Sequence, residues 1–164
     1  MAFDAFLQID GIPGESTDDK HKDWIEVTSF QQSMEQPASA TASSAGGATA
    51  ERVNFDTFDI THLLDKASPK IYEACASGKH IKSVTLELCR AGGDKAKYMQ
   101  IVMEQVIVSM VTSTGKAGDE FPSEKVSFSY GKIKWTYTQQ KRADGTGGGN
   151  VNSGWDLTAN KVAA

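Results

Sequence analysis

Between residues 124 and 140 the sequence EKVSFSYGKIKWTYTQQ alternates apolar and polar positions, and the alternation changes phase half-way. Val126, Phe128 and Tyr130 share one face; after Gly131 the apolar set is Ile133, Trp135 and Tyr137. A period of two marks a β-strand. A strand keeps its core face across a one-residue slip when a bulge absorbs it, and glycine permits one. Gly131 is therefore expected to be a bulged corner of a barrel strand. Without a bulge, the two halves of the strand would face different partners.

The rest of the chain repeats this language. Residues 3–9 alternate through Phe3, Ala5, Leu7 and Ile9, and Gly11-Ile12-Pro13-Gly14 ends the strand with turn chemistry. Residues 24–34 are extended, β-branched and aromatic. Val53 and Phe55 share parity, then Phe58 and Ile60, so a second slip is expected near Thr57. Residues 80–90 form a strand on Val84, Leu86 and Leu88, followed by the hairpin signal Ala91-Gly92-Gly93-Asp94. Residues 98–111 are apolar on both faces, which predicts a partner on each. Loops are expected at 112–122 and 143–150, with a short closing strand at 154–157 and a tail at 159–164.

The segment QPASATASSAGGATA holds no aromatic or large aliphatic residue and is expected to be a flexible loop over about 36–50. One helix is expected over about 62–77. It starts with a turn from His62 to Lys66. Ser68 then serves as N-cap with Pro69 in the first turn, and Gly78 stops it. Leu63, Leu64, Ala67, Ile71, Ala74 and Cys75 make its apolar stripe. The tally of about seven strands and one helix reads as mainly β: a β-barrel or β-sandwich with a helix over an opening or an edge.

Composition adds mainly exclusions. The 164 residues are expected to form a single domain, 1–164. A net charge of −4 without a basic stripe argues against nucleic acid, and no apolar run is long enough for membrane insertion. The start MAFDAFLQIDG lacks a basic segment and carries Asp4, so no secretory signal is read there and synthesis and folding in a cytoplasm are expected. Cys75 and Cys89 lack CxxC spacing and read as reduced thiols. His21 lies in a charged loop, His62 opens the helix and His80 starts a strand; none sits at metal-ligand spacing.

The run Gly145-Thr146-Gly147-Gly148-Gly149 is not followed by Lys-Ser/Thr and fails as a phosphate cradle, and no G-x-S-x-G elbow occurs. Asp18-Asp19 and Asp119-Glu120 read as loop carboxylates, and Lys132 and Lys134 as a solvated strand face. No residue is assigned as catalytic, cofactor-binding or metal-ligating, and no cofactor is expected. A doubly apolar strand, an Ala/Ser/Gly arm and slipped strands point to an interaction protein such as a ring subunit.

The segments AFLQIDGIPGES, ERVNFDTFDITHLLDKASPKIYEACASGKHI, YGKIKWTYTQQ and GWDL, in this order over nearly the whole chain, resemble the haemolysin-coregulated protein (Hcp) family, the tube subunits of bacterial type VI secretion systems. The resemblance implies a β-barrel of two antiparallel sheets with one α-helix. It implies homohexameric rings stacked into a hollow, phage-tail-like tube that a contractile sheath drives outward behind a trimeric spike protein. It further implies export without a signal peptide, and effectors carried or chaperoned in the lumen. The family's extended loop corresponds to residues 32–51 and is expected to contact a neighbouring subunit or ring. The family helix corresponds to 68–77. Because the chain ends at Ala164, soon after GWDL, a plain tube subunit without an enzymatic extension is expected. The alternatives are a monomeric β-barrel binding module with the Ala/Ser segment as a mobile lid, and a hydrolase whose triad assembles only in space.

Overall fold

The computed structural model describes residues 2–39, 49–92, 95–141 and 147–163. Strands β1 (Phe3–Ile9), β2 (Ile25–Val27), β3 (Ser29–Gln31), β8 (Phe58–Leu63), β9 (Ile81–Arg90), β10 (Lys97–Thr114) and β11 (Ser123–Ser129) build a barrel. All pairs are antiparallel: β10 with β9, β9 with β1, β1 with β2, then β3 with β8, β8 with β11 and β11 with β10. The ring closes because β2 and β3 are one strand path broken at Thr28, whose N–H and hydroxyl both donate to the Thr61 carbonyl. The expected single strand over 24–34 thus crosses from one sheet to the other, and its core side chains slip from Ile25 and Val27 to Phe30. Closure leaves the barrel without an exposed edge at this point.

The corner at Gly131 is a joint feature of two strands. In β10 the buried set is Ile101 and Met103 before the corner, and Val106 and Val108 after it, so β10 slips phase too. Gln105 absorbs its slip with φ 55°. Across from it, β11 ends and β12 (Lys132–Gln140) begins. Glu104 pairs with Lys132 and Ile107 with Ser129, the same step on both strands, so the register is unchanged. The expected corner is there, but the expected bulge is not at Gly131. Two matched slips need no extra residue; the register shift lies further on, between Val108 and Met110. Gly131 N–H donates to the Glu104 carbonyl at 3.0 Å. The outer face of β10 is only half covered within the chain: Val102 and Ile107 are half-buried and Met110 is exposed.

The helix differs from expectation at its start. α1 spans Ser68–Ser77. His62 and Leu63 belong to β8, pairing with Glu124 and Ser123, so no helical turn runs from 62 to 66. A continuous ladder bond outweighs a short turn's weak propensity. Leu63 and Leu64 are exposed, and the buried stripe is Ala67, Ile71 and Ala74. Ala67, not Ser68, occupies the N-cap. The Ser68 hydroxyl accepts the Asp65 N–H at 3.1 Å instead, and Asp65 Oδ1 accepts the Ala67 N–H at 2.9 Å. Gly78 closes the helix at φ 64°, as expected.

Three loop expectations need correction. Segment 36–50 is not a plain flexible loop: β4 (Met34–Glu35) pairs with β7 (Asn54–Phe55), and β5 (Ala38–Ser39) with β6 (Thr49–Ala50), making a two-stranded ribbon. The rest of that expectation, 40–48, lies outside the described residues. Two residues without strand pairing, Asp56 and Thr57, separate β7 from β8 at the expected second slip. At the C-terminus, the expected loop and short strand are one strand, β13 (Gly147–Asp156), paired with β12, and β14 (Lys161–Val162) pairs with β13. The Gly/Asn run has poor strand propensity, but the free edge of β12 supplies the partner. Residues 143–146 of the expected loop lie outside the described residues. β10 also runs to Thr114, shortening the loop expected at 112–122.

Candidate interaction surface

Two buried polar clusters fix the segments that shape the barrel's surface. The first centres on Glu124, fully buried in β11. Its carboxylate accepts the hydroxyls of Ser68 at 2.9 Å, Ser113 at 3.2 Å and Tyr72. His62, also fully buried, brings Nε2 to 3.0 Å from Glu124 Oε2, an ion-pair contact without hydrogen-bond alignment. Burial pushes the Asp65 carboxyl above its ordinary range, against the pull of His62. Glu124 thereby ties α1 to β8, β10 and β11. Reading His62 as a helix opener missed this. The signal available was parity, since His62 shares the face of Phe58 and Ile60.

The second cluster holds the loop between β1 and β2 against the barrel. His21 is buried, not a free member of a charged loop. Its Nδ1 lies 2.9 Å from Asp18 Oδ2 and its Nε2 2.7 Å from Glu87 Oε2. Its ring stacks on Phe6 at 4.2 Å. Lys95 also donates to Asp18, and this bond, with that from His21, holds the Asp18 carboxyl down to about 2 against an ordinary 3.8. A folded value below the unfolded one gives stability that is full above 3.8 and fades as pH falls toward about 2. Urea midpoints measured across that window are expected to drop for the natural chain and to drop less for Asp18→Asn. Parallel curves would refute this role for Asp18.

The other residues singled out in the sequence are dispersed. His80 is exposed. Lys132 and Lys134 both reach Glu104, at 3.7 and 3.6 Å, so one carboxylate offsets part of the charge on that strand face. Asp19, Asp119 and Glu120 are surface loop residues. Cys75 and Cys89 are free thiols, and burial pushes the Cys89 thiol up to about 11, which keeps it protonated and unreactive. Among the described residues no cluster of His, Cys, Asp and Glu is placed to hold a metal, and no helix is long and apolar enough to cross a membrane.

What the surface does offer is uncovered apolar area. Phe3, Leu63, Leu64 and Phe121 are exposed around a half-open groove of about 460 Å3 where β1 begins and β8 ends. Tyr137, Val151 and Val162 are exposed on the flap formed by β12, β13 and β14. Such patches mark contact sites.

The family model described as "Type VI secretion system effector, Hcp" matches residues 6–137. The chain belongs to the Hcp family. It is 33% identical to the protein hcp1 of Pseudomonas aeruginosa over 99% of this chain and all of that one. It is 29% identical to the same organism's major exported protein over 76% of this chain. Among solved structures, it matches Hcp1 from Salmonella typhimurium with a TM-score of 0.82 at 36% identity. It matches a structure titled "Structure of a type six secretion system protein" with a TM-score of 0.93 at 32% identity. Both matches cover 99% of this chain and the whole of the other. As an Hcp, the chain is a type VI secretion tube subunit, and its two-sheet barrel with one helix is the architecture of these neighbours.

Proposed function

We propose that residues 1–164 act as one domain that assembles into homohexameric rings, and that these rings stack into the inner tube. The tube forms in the cytoplasm and leaves the cell through the type VI machine without a signal peptide. A contractile sheath drives it and a trimeric spike protein leads it. Effectors ride in, or are chaperoned by, the lumen. The segment 32–51 reaches toward a neighbouring subunit or ring, and the subunit performs no catalysis of its own.

One observation carries this reading. A barrel with a well-filled core leaves large apolar side chains uncovered in two separate patches, on the flap and around the groove. A subunit that contacts copies of itself on two sides needs such patches, and an isolated binding module does not. Light scattering on the purified chain at low micromolar concentration is expected to give a mass six times the 17.7 kDa of one chain. A single-chain mass at all concentrations would overturn the ring.

A further inference from the structure

The ribbon of β4, β5, β6 and β7 leaves the barrel at a break in the ladder. Its strands form two-stranded sheets of their own, separate from the ten-stranded sheet, so no barrel strand fixes its direction. The last barrel pair is Gln31 with Asp59, and the first ribbon pair is Met34 with Phe55. Gln32 and Ser33 lie between these pairs on one strand, and Asp56, Thr57 and Phe58 on the other. The extra residue is a bulge, and a bulge bends and twists the strand that carries it. A two-stranded ribbon is marginal in water, so its own backbone does not hold it at one angle beyond the bulge. Along Ser33, Phe55, Asp56 and Thr57 runs a half-open cleft of about 480 Å3, which leaves the base of the ribbon room to move.

Side chains from the corner at Gly131 hold that base. The Tyr130 hydroxyl donates to the Asp56 carbonyl, in the bulge, at 3.1 Å. Trp135 Nε1 donates to Gln32 Oε1, on the opposite strand, at 3.1 Å. Phe55 meets both rings: it is edge-on to Tyr130 at 6.2 Å between centroids and nearly parallel to Trp135 at 6.5 Å. Tyr130 is buried, and Trp135 continues the cross-strand row of Leu86 and Ile101, so the grip is anchored in the core. Tyr and Trp could fill this space with their rings alone. Instead both polar handles are spent on the ribbon, one on each of its strands.

We infer that Tyr130 and Trp135 are positioning residues for the ribbon, and that together they set the angle at which it leaves the barrel. This goes beyond the contact proposed for segment 32–51, because it is a property of the single chain. A ribbon aimed by the fold reaches a neighbour with its orientation already fixed and gives up less freedom on contact.

Tyr130→Phe with Trp135→Phe tests the inference, because aromatic rings stay and the two hydrogen-bond donors are lost. Spin labels at Arg52→Cys on the ribbon and Lys82→Cys on β9, in a Cys75→Ala background, report the angle as a distance distribution. Both labelled positions are exposed, and the remaining thiol, Cys89, is buried. Dilution into excess unlabelled chain leaves one labelled copy in any assembly. The natural clamp is expected to give one narrow distribution, and the double variant a broad or displaced one. Amide exchange at 54–56 is expected to run about tenfold faster in the variant, from two lost hydrogen bonds, with β9 and β10 and the thermal midpoint little changed. An unchanged distribution, or one already broad with the natural clamp, overturns the inference. So does a variant that loses barrel stability while the distribution stays the same, since that is packing alone. If the double variant folds poorly, Gln32→Leu removes an acceptor from the ribbon side. It is expected to broaden the distribution, and an unchanged one counts against the clamp. None of these readouts needs a ring, so a single-chain mass in solution would overturn the ring and leave this inference standing.

Discussion

Glu124→Ala is expected to lose about 3–5 kcal/mol of stability, because removing one partner from a buried charged cluster strands the rest. The side chain has no solvent exposure, and three hydroxyls and a histidine converge on it. Alanine would leave the Ser68, Tyr72 and Ser113 hydroxyls without their acceptor and would open a void under α1. His62 would lose the carboxylate beside Nε2. Since Ser68 and Tyr72 are both on α1, the helix is expected to loosen before the barrel does. Urea titration followed by far-ultraviolet circular dichroism measures the loss, and amide exchange at 68–77 locates it. Glu124→Gln keeps the shape and one acceptor oxygen and is expected to cost less, about 1–2 kcal/mol. A loss under about 1 kcal/mol for alanine would mean that the cluster contributes little net stability.

Gly14→Ala is expected to cost about 2–3 kcal/mol through overpacking. A Cβ at this position would overlap the Trp24 carbonyl oxygen, lie 2.7 Å from its carbonyl carbon and 2.8 Å from Ile25 Cγ1. Two of these atoms are backbone, and they cannot swing away as a side-chain tip can. The close approach is used: Gly14 N–H donates to the Asp23 carbonyl at 2.7 Å, and Ser16 N–H to the Trp24 carbonyl at 3.0 Å. Pushing these two loop segments apart would weaken both bonds and pull His21 from its seat on Phe6. The midpoint shift by thermal melting is the readout. An unchanged midpoint would show that the loop relaxes freely and that His21 does not anchor it.

How much of this was legible depended on where the burial partner lay. Strands whose core face is filled by the chain itself, such as 3–9 and 80–90, announced themselves by alternation. So did the slips, at Gly131 and near Thr57, because Phe128, Tyr130, Ile133 and Phe58 must all reach one core. The strand break at Thr28 is not visible in the extended stretch 24–34, because Ile25 and Val27 on one parity and Phe30 on the other fit two faces of a single strand equally well. The false helical turn at 62–66 arose because Leu63 and Leu64 look like core. They are apolar and exposed, and an apolar pattern made for another molecule is indistinguishable, in one sequence, from one made for the chain's own interior. The Gly/Asn strand β13 was read as a loop because its pairing is dictated by β12 and not by its own residues. The clusters around Glu124 and His21 join residues far apart in the chain, and no spacing rule finds them.

The surfaces follow the same logic. The family segments were legible as a resemblance, but which side chains would meet a neighbour was not, because exposure is a property of the fold. The flap of β12, β13 and β14 shows this best: Tyr137 and Val151 are cross-strand partners that continue the period of buried strands and are nonetheless 47% and 71% exposed. Their burial is completed, on this account, only by another copy.

Electron microscopy of the purified chain tests that account most directly. Class averages are expected to show rings with six lobes and an open centre, with stacked rings in side view at higher concentration. Compact particles of single-chain size, without a central opening, would contradict it.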